Sequence, residues 1–527
     1  MFSQIAHCLR LIRAARVMAR YDGLVSAEQL DEAPPAARLA LRIAKIGTRA
    51  ARGDVDNPLA AALTELGPTY IKLGQFLATR PDLVGADRAR QLSELQDRMP
   101  SFPQDEAIAE IRAGLGADTA DLFEEFGPPV AAASIAQVHR AKVRDDNGGL
   151  RDVAVKVLRP GIEKRFSTDM ETFFFAARLV ERWHEPSRRL RPVDAVQTLA
   201  TSVKLEMDLR MEASAMSELA KNVADDAGFH VPQVDWSRTS RRILTSQWVD
   251  GIPLSDQDRL KAAGFDLPGL GDNVIQSFLR HAIRDGFFHA DMHPGNLFVD
   301  QAGDLVAVDF GIMGRLGMKE RLFLAEILHG FITRNYERVS QVHFDAGYVP
   351  IKHDPQVFAQ ALRAIGEPLM DKPADEISMA RLLAQLFQVT EQFDMRTQPQ
   401  LLLLQKTMVV VEGVARMLNP SLNMWTTAEP VVRQWIEQKF GPQGRIEDAA
   451  EGAATLGKLV GALPEVMAEA QRTAHMLSNM ADSGGIRLDK ETTEALAEAQ
   501  SRRNSGGRIA LWLGAAALVV IALAQVI

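Results

Sequence analysis

The stretch that decides the fold runs from residue 286 to residue 312 and reads GFFHADMHPGNLFVDQAGDLVAVDFGI. Its first half places Asp291 and Asn296 five residues apart. Its second half is a short apolar strand that ends at Asp309, followed by Phe and Gly. Oxygen ligands of this kind suit Mg²⁺, which usually takes one or two carboxylates together with substrate phosphates. The two halves match the catalytic loop and the D-F-G magnesium loop of protein kinases.

A third kinase-like motif lies upstream in the apolar strand VAVKV at 153–157. In kinases the lysine at this position, here Lys156, binds the α- and β-phosphates of the nucleotide. A lysine is costly to bury unless it is paired, so the alternative is a lysine that reaches solvent from an edge strand. The order of the three motifs predicts Asp291 as the group that orients or accepts a proton from the attacking group. It predicts Asn296 and Asp309 as the magnesium ligands.

Two histidines flank Asp291 and allow a different interpretation, a zinc site. His289 and His293 are four residues apart, but no further histidine or cysteine follows at metal-ligand spacing. Structural zinc sites usually need four protein ligands and catalytic sites three. We therefore favour the magnesium interpretation.

The hydrophobic pattern along the chain fits a fold with two lobes. Residues 126–157 alternate in the manner of strands around a polar DDNGG turn at 145–149, which predicts a β-hairpin. Residues 164–225 and 318–440 are patterned as helices, and 243–250 as a strand. We predict an α+β, two-lobed protein-kinase-like fold with a helical N-terminal extension at 1–120, an N-lobe at 121–250, a C-lobe at 251–440, an amphipathic tail at 441–507 and a C-terminal transmembrane helix at 508–527.

Composition limits the class of function. The 527 residues include 60 Lys and Arg against 68 Asp and Glu, a net charge of −8, which argues against a general nucleic-acid partner. Cys8 is the single cysteine, so the chain has neither an intrachain disulfide nor a zinc site built from cysteines.

Both ends of the chain suggest contact with a membrane. Residues 509–527 contain no charge and are long enough to cross about 30 Å of hydrocarbon as a helix. Arginines at 502, 503 and 508 precede this stretch, which predicts a single-pass anchor in the inner (cytoplasmic) membrane with the bulk of the protein in the cytoplasm. A buried core helix is the alternative.

Residues 1–20 mix arginines with apolar residues at helical spacing, which predicts an amphipathic helix and excludes a secretory signal. Such a helix lies on a membrane surface or packs on the domain, and a mitochondrial transit peptide is a third interpretation.

Two features depart from ordinary protein kinases. The segment before the lysine strand reads AAASIAQV at 131–138, where kinases have a glycine-rich loop. Alanine restricts positive φ and keeps the backbone farther from phosphates. After D-F-G the chain continues GIMGRLGMKERLF without an A-P-E motif, so an activation segment that holds a peptide has no room. We therefore expect no conventional phosphorylation of proteins in trans.

The segments AAASIAQVH at 131–139, KLGQ at 72–75 and EMD at 206–208 together resemble the UbiB-type atypical kinase-like family, which is linked to ubiquinone biosynthesis. The resemblance covers roughly residues 60–330. It implies that a helix with the K-x-G-Q motif, here Lys72, Gly74 and Gln75, folds over the active site where a kinase would take its substrate. Glu206 and Asp208 are expected to meet this helix as regulatory residues, and Glu212 to pair with Lys156 as part of the catalytic set.

The resemblance also implies that the alanine-rich loop replaces the glycine loop in nucleotide binding, with Ala131, Ala132, Ala133, Ser134 and Val138 as the residues concerned. The spacing of Glu206, Asp208 and Glu212 places the three on one predicted helix, where Glu206 and Asp208 do not share a face and so serve different partners. Gln247 stands where the family commonly has Glu, and Ala215 where Asn is usual.

These observations predict a membrane-anchored nucleotide-binding protein that uses ATP or ADP with Mg²⁺ and supports ubiquinone synthesis, most simply as an ATPase. The expected partners are a membrane lipid or prenylated quinone precursor and other quinone-biosynthesis enzymes. Two alternatives remain: a kinase that phosphorylates a small molecule or protein, and a pseudoenzyme scaffold.

Overall fold

The computed structural model describes residues 2–21, 57–78, 80, 84–93, 95, 99–145, 148–183, 188, 191–370, 389, 392–395 and 399–440. The chain divides into two compact units, residues 1–437 and 438–527. The fold below is that of the first unit, to the end of its last helix.

The N-terminal extension is helical, as predicted, in its described residues. Proline occupies the first position of both the second and the third helix, where its missing N–H is not needed. Gly67 separates these two helices with a φ of +104° that side chains disfavour. The helices are α1 (Phe2–Arg20), α2 (Pro58–Leu66), α3 (Pro68–Ala78), α4 (Ala86–Ser93), α5 (Gln104–Leu115) and α6 (Thr119–Leu122).

A four-stranded antiparallel sheet forms the N-lobe. Its strands are β1 (Glu125–Ala132), β2 (Ala136–Arg144), β3 (Leu150–Leu158) and β5 (Ile243–Gln247), in the order β1-β2-β3-β5. The hairpin predicted around the DDNGG turn is confirmed, since β2 pairs with β3 from Arg144 and Leu150 onward. Strand β3 lies inside the sheet, so the edge-strand alternative for Lys156 is wrong.

Three helices separate β3 from the rest of the N-lobe: α7 (Ile162–Trp183), α8 (Pro192–Glu206) and α9 (Leu209–Asn222). The prediction that Glu206, Asp208 and Glu212 share one helix is wrong. Glu206 is the last residue of α8, and Asp208 caps α9 by accepting a hydrogen bond from the Arg210 amide at 3.2 Å. Aspartate at an N-cap stabilises a helix start by satisfying an amide that has no partner in the helix, and here it opens a second helix.

The C-lobe places short strands among helices. Strands β4 (Phe229–His230), β9 (Leu305–Ala307), β8 (Leu297–Val299) and β6 (Ile252–Pro253) form one sheet in that order, and β7 (Phe287–His289) pairs with β10 (Met313–Arg315). The helices are α10 (Gln257–Ala262), α11 (Leu267–Leu279), α12 (Met318–Ile332), α13 (Tyr336–Asp345), α14 (Pro355–Met370), α15 (Pro399–Leu418) and α16 (Met424–Phe440). A π-helical turn at Arg280–Asp285 leads into β7.

The two predicted membrane elements have different outcomes. The amphipathic N-terminal helix is present as α1, packed against the domain through His7, which stacks on Phe175 of α7 with ring centroids 5.5 Å apart. The predicted tail and anchor, 441–527, lie outside the described residues. Within the residues that the structure describes, no helix combines the length and apolar character needed to cross a membrane.

Candidate nucleotide and metal site

Lys156 lies at the centre of a charged cluster between the lobes. The valines on either side of it in β3 are fully buried and fix the strand, so that the lysine side chain leaves the opposite face. Its Nζ donates to Glu212 Oε1 at 2.7 Å and Oε2 at 3.0 Å, and to Asp309 Oδ1 at 3.0 Å. The Lys156–Glu212 contact is the pairing that the family resemblance implies, although Glu212 comes from the first turn of α9.

The cluster holds one cation between two carboxylates, which perturbs all three groups. Burial opposes the charge of Lys156, but Asp309 and Glu212 outweigh it and raise the pKa of the lysine. The Lys156 ammonium holds the pKa of the Asp309 carboxyl well below its usual range. Burial raises the pKa of Glu212, with the Asp309 charge acting in the same direction and Lys156 opposing it. Asp309 is therefore the more readily ionised acid, as a metal ligand needs to be.

The loop that carries Asp291 and Asn296 is fixed by its own polar groups. The side-chain nitrogen of Asn296, Nδ2, donates to the backbone oxygen of Asp291 at 3.0 Å and to the Asp291 carboxylate at 3.2 Å. The backbone of Asn296 accepts from the amide of Val308 at 2.9 Å, which joins this loop to the strand that leads to Asp309. With the amide nitrogen used in this way, the side-chain oxygen of Asn296 is the group left for a cation.

His289 supports this loop from within the core. Its ring is fully buried, and burial lowers its pKa so that it stays neutral. Nδ1 accepts from the Asp291 amide at 3.1 Å, and Nε2 donates to the backbone oxygen of Val308 at 3.3 Å. Both ring nitrogens are engaged, so His289 is a positioning group rather than a zinc ligand. In the described part of the chain, the group of three possible metal-ligating side chains consists of His230, Asp300 and Asp304, and includes neither His289 nor His293.

Asp309 has a strained backbone. Its φ is +62°, a left-handed value that is uncommon outside glycine and costs about 1–3 kcal/mol. The surrounding contacts maintain this backbone conformation. The amide of Val308, the preceding residue, donates to the backbone oxygen of Asn296, and Lys156 donates to the Asp309 side chain. About half of the side chain (49%) remains open to solvent. A carboxylate held in this way suits a magnesium ion that also contacts phosphates.

The alanine-rich loop forms the tight turn between β1 and β2. Ala133 donates to the backbone oxygen of Ala136 at 2.8 Å, and none of residues 131–136 has a positive φ. Ser134 and Ile135 at the tip are buried, whereas Ala131 is exposed and Ala132 and Ala133 are half-buried. The amide of Ala133 is thus occupied within the turn, unlike the free amides with which a glycine-rich loop cradles phosphates.

Val138 lies farther from the turn, directly opposite Lys156 in the register of β2 and β3, and is half-buried. Cross-strand partners in an antiparallel sheet have their side chains on the same face. Val138 therefore shares with Lys156 the face on which a nucleotide would lie.

The K-x-G-Q helix, α3, reaches the cluster. Lys72 Nζ lies 2.7 Å from Glu206 Oε2, and both side chains are largely buried, at 11% and 14% exposed. The charge of Lys72 also contributes to the low pKa of Asp309. Asp208 instead pairs with Arg210, so Glu206 and Asp208 have different partners. Gln75 is half-buried on the same helix.

Gly74 has a packing role in this arrangement. A Cβ at Gly74 would lie 2.7 Å from Leu63 Cδ1 and 2.7 Å from Leu95 Cδ2, closer than real Cβ contacts. The glycine therefore lets α3 approach α2 and the segment after α4. Its part in the motif is to set the position of the helix that carries Lys72.

Two groups of residues near the site were not identified from the sequence. Arg159, just after β3, donates to the backbone oxygens of Ala133 at 2.7 Å and Pro100 at 2.9 Å, and so joins the alanine turn to the extension. The buried side chain of Gln137 accepts from the Phe102 amide at 2.9 Å and donates to its oxygen at 3.3 Å. The acceptors are mostly backbone atoms, which leave no sequence signal. The one available hint was a glutamine inside an apolar strand.

The second group comes from α15. The hydroxyl of Thr407, which is fully buried, lies 2.8 Å from the backbone oxygen of Leu403 and 3.2 Å from that of Ala290, next to Asp291. The sequence gives no signal for this contact, because 117 residues separate the partners.

Comparisons with known proteins agree with this architecture. Residues 94–343 match the ABC1 atypical kinase-like domain, and residues 362–423 match the UbiB helical domain. The chain is 38% identical to a probable protein kinase UbiB of Marinobacter nauticus over 97% of this chain and 93% of that protein. The chain belongs to the UbiB family.

Other relatives of the same name have a similar sequence identity. The proteins of Xanthomonas oryzae and Pseudomonas paraeruginosa are 36% and 38% identical, over 98% and 82% of this chain and 92% and 82% of theirs. A solved complex of a Mycobacterium tuberculosis protein with erythromycin is 23% identical, with a TM-score of 0.48 over 75% of this chain and 97% of that one. That likeness is too distant to bear on the site. The UbiB membership confirms the kinase-like fold and the family expected from the three short motifs.

Proposed function

We propose that this UbiB-family chain is a membrane-anchored ATPase, or nucleotide-switched protein, that supports ubiquinone biosynthesis. The observation that carries the proposal is the convergence of Lys156, Glu212 and Asp309 within hydrogen-bond distance, with Lys72 of the extension close enough to affect Asp309. A pseudoenzyme scaffold has no need to keep this charge arrangement.

The residues have distinct roles in this proposal. Lys156 binds the α- and β-phosphates, and Glu212 holds the lysine in place. Asn296 and Asp309 offer oxygen ligands that fit Mg²⁺, which would neutralise phosphate charge when bound. Asp291 orients a water molecule and accepts its proton as the water attacks the γ-phosphorus. The bond from the γ-phosphorus to the β–γ bridging oxygen breaks, and ADP and phosphate leave.

The alternative, phosphorylation of a protein in trans, is disfavoured by the short connection after D-F-G. Six residues, 312–317, separate Gly311 from the start of α12, and three of them form β10. No activation segment fits in this length to hold a peptide. Lys72 and α3, which the family resemblance expects to cover the site, would also keep a peptide out.

The membrane and partner assignments rest on the sequence and on the family. The uncharged stretch 509–527 would anchor the chain in the inner membrane with its bulk in the cytoplasm. Quinone precursors with prenyl tails dissolve in the same bilayer, so a membrane lipid or prenylated precursor is the proposed ligand. Other quinone-biosynthesis enzymes are the proposed protein partners.

Turnover of nucleotide by the purified full chain tests the function. We expect Mg²⁺-dependent release of phosphate from ATP, raised by anionic liposomes or prenylphenol-like compounds and lost in Asp291→Asn. That substitution keeps the size of the side chain and its ability to accept from Asn296. Asp291-dependent transfer of phosphate to an added protein would favour the kinase alternative instead. Nucleotide binding without turnover would favour the scaffold.

The alanine turn predicts which nucleotide is preferred. The Ala133 amide is occupied and its Cβ takes up space near the γ-phosphate position, while Lys156 can still hold the α- and β-phosphates. We expect wild type to prefer ADP over ATP, and Ala133→Gly to shift the affinity ratio toward ATP by about tenfold, the worth of one charge-assisted hydrogen bond. Titration of both nucleotides with Mg²⁺ measures the ratio.

The matched control is Ala117→Gly, in the loop after α5, which should leave the ratio unchanged. The buried tip of the turn allows another outcome, in which the turn only packs against the extension and never senses nucleotide. Equal ratios in wild type and Ala133→Gly would establish that outcome and contradict the prediction.

A further inference from the structure

Helix α1 packs against the molecule with one face. His7 stacks on Phe175 of α7, and its Nδ1 lies 3.0 Å from the Thr172 hydroxyl. Val17 is buried, and Arg20 pairs with Glu65 of α2 at 3.0 Å. These contacts fix the rotation of α1 about its axis. They therefore also determine which of its residues point away from the protein.

Large aliphatic side chains occupy the face that points away. Ile5, Leu9 and Ile12 are 50%, 61% and 52% exposed, and their spacing of four and three residues places them on one side of the helix. Apolar residues at this spacing normally face the core of a protein. In α1 the packing on the protein is provided by other residues, including His7, Val17 and Met18, so the aliphatic stripe has another purpose.

The stripe lies on the side of α1 opposite to His7, which packs on α7, so it points away from that helix. We call Ile5, Leu9 and Ile12 the α1 face.

Exposed large apolar side chains are grouped on the α1 face, whereas elsewhere on the protein they are scattered. Fifteen large apolar side chains are exposed in the described part of the chain, and three of them lie on this one side of α1 within eight residues. Contiguous exposed apolar surface usually marks an interaction site in a soluble domain, whereas single exposed residues do not.

Charge indicates the kind of partner. Residues 2–20 contain four arginines and no acidic residue, in a chain whose net charge is −8. Arg13 and Arg16 are exposed and follow directly after the aliphatic stripe. Aliphatic side chains bordered by arginines match the boundary between acyl chains and anionic headgroups.

We propose that the α1 face lies on an anionic lipid surface. A second copy of the chain is a poorer occupant, because its own α1 would offer no acidic residue to pair with Arg13 and Arg16. The surface belongs to the same packed body as the K-x-G-Q helix, since Met18 of α1 packs in the cluster that contains Leu63, Ile71 and Leu92. The proposal adds a second membrane contact to the C-terminal anchor and does not depend on nucleotide turnover.

The single cysteine offers a direct test. Cys8 is exposed and lies within the aliphatic stripe, so an environment-sensitive fluorophore can be attached there in the otherwise native full-length chain. The labelled protein is incorporated into vesicles of phosphatidylcholine alone or mixed with phosphatidylglycerol. We expect a blue shift and quenching by nitroxide-labelled lipid in the anionic vesicles. The control, Cys8→Ser with Ile351→Cys, carries the label at a fully exposed C-lobe position and should show neither change.

Two variants separate the contributions. The double variant Arg13→Gln, Arg16→Gln should remove the preference for anionic vesicles. The double variant Leu9→Gln, Ile12→Gln should remove the blue shift in both kinds of vesicle. The thermal transition of each variant is compared with that of the wild type. Emission from Cys8 that stays water-like in anionic vesicles would overturn the proposal. So would a cysteine that resists labelling without lipid, which would place another segment of the chain on this face. A blue shift that appears without lipid when the protein concentration is raised would assign the α1 face to a second copy of the chain. That result would also overturn the proposal.

Discussion

Asp309→Asn is expected to abolish Mg²⁺-dependent nucleotide binding. The substitution keeps the shape of the side chain but removes the charge that Lys156 stabilises and that a magnesium ion requires. Metal-ion stabilisation of charge is worth several kcal/mol, so the loss in affinity should be on the order of a hundredfold to a thousandfold. Thermal shift measures it: nucleotide at about 100 times its Kd stabilises the wild type by roughly 2.7 kcal/mol. In the variant that increment should fall to about 0.4 kcal/mol or less.

The control for this experiment is Asp258→Asn, which removes an exposed carboxylate from α10 in the same lobe. Its Mg²⁺-dependent shift should equal that of the wild type. A normal Mg²⁺-dependent shift in Asp309→Asn would rule out Asp309 as a metal ligand.

The same substitution has a pH signature without nucleotide. Lys156 depresses the pKa of Asp309 in the folded state. A carboxyl of this kind contributes stability that is present above its unfolded pKa, about 3.9, and is lost as the pH falls below it. The difference in Tm between wild type and Asp309→Asn should therefore shrink below about pH 4. Since half of the side chain is exposed, solvent screening keeps this contribution small.

Glu212→Gln is expected to lower nucleotide turnover by on the order of a hundredfold, the usual cost of displacing a catalytic group by about 1 Å. Glu212 is the closer of the two anions bound to Lys156, at 2.7 Å against 3.0 Å for Asp309. Without its charge, the lysine would pair with Asp309 alone. Lys156 would then move away from the position in which it binds phosphate. Mg²⁺ would have to compete with the Lys156 ammonium for the Asp309 carboxylate.

Glu218→Gln is the matched control, since Glu218 lies on the same helix and pairs at the surface with Arg315. A surface pair contributes at most about 1 kcal/mol, so turnover should be unchanged. Steady-state phosphate release at several Mg²⁺ concentrations separates the two effects of Glu212→Gln. Excess Mg²⁺ should restore part of the lost affinity but not the rate. Equal turnover in Glu212→Gln and Glu218→Gln would show that the lysine needs no partner on α9.

The sequence predicted the two lobes and identified Lys156 and Asp309 as site residues, although it did not predict their contact, and physical reasons explain why. A lysine in an apolar strand demands an anion, and Asp309 at the end of another such strand supplies one. Both are local patterns with a strong energetic basis. The family resemblance added Glu212 and the K-x-G-Q helix, which spacing alone could not assign.

The remaining details depend on tertiary contacts that the sequence does not encode locally. The break between Glu206 and Asp208 was missed because the apolar residues on either side continue at helical spacing, although an aspartate before a new helix is a recognised cap. The role of Arg159 was missed because its partners are carbonyl oxygens, which every residue has. Gly74 was assigned to a regulatory motif, and its closest neighbours proved to be leucines from two other segments.

The contacts between the alanine turn and the extension bear on where a working fragment of this protein can begin. Ile135 at the tip of the turn belongs to a buried cluster with Phe166 and Phe173, against which Tyr70, Leu73 and Phe76 of α3 pack. A fragment cut at residue 94, where the match to the kinase-like domain starts, would lose these three side chains and leave the apolar cluster open to water. The smallest unit able to fold around a nucleotide thus starts upstream of α3. In this chain the helical extension that precedes the kinase-like domain thus contributes side chains to the core of that domain.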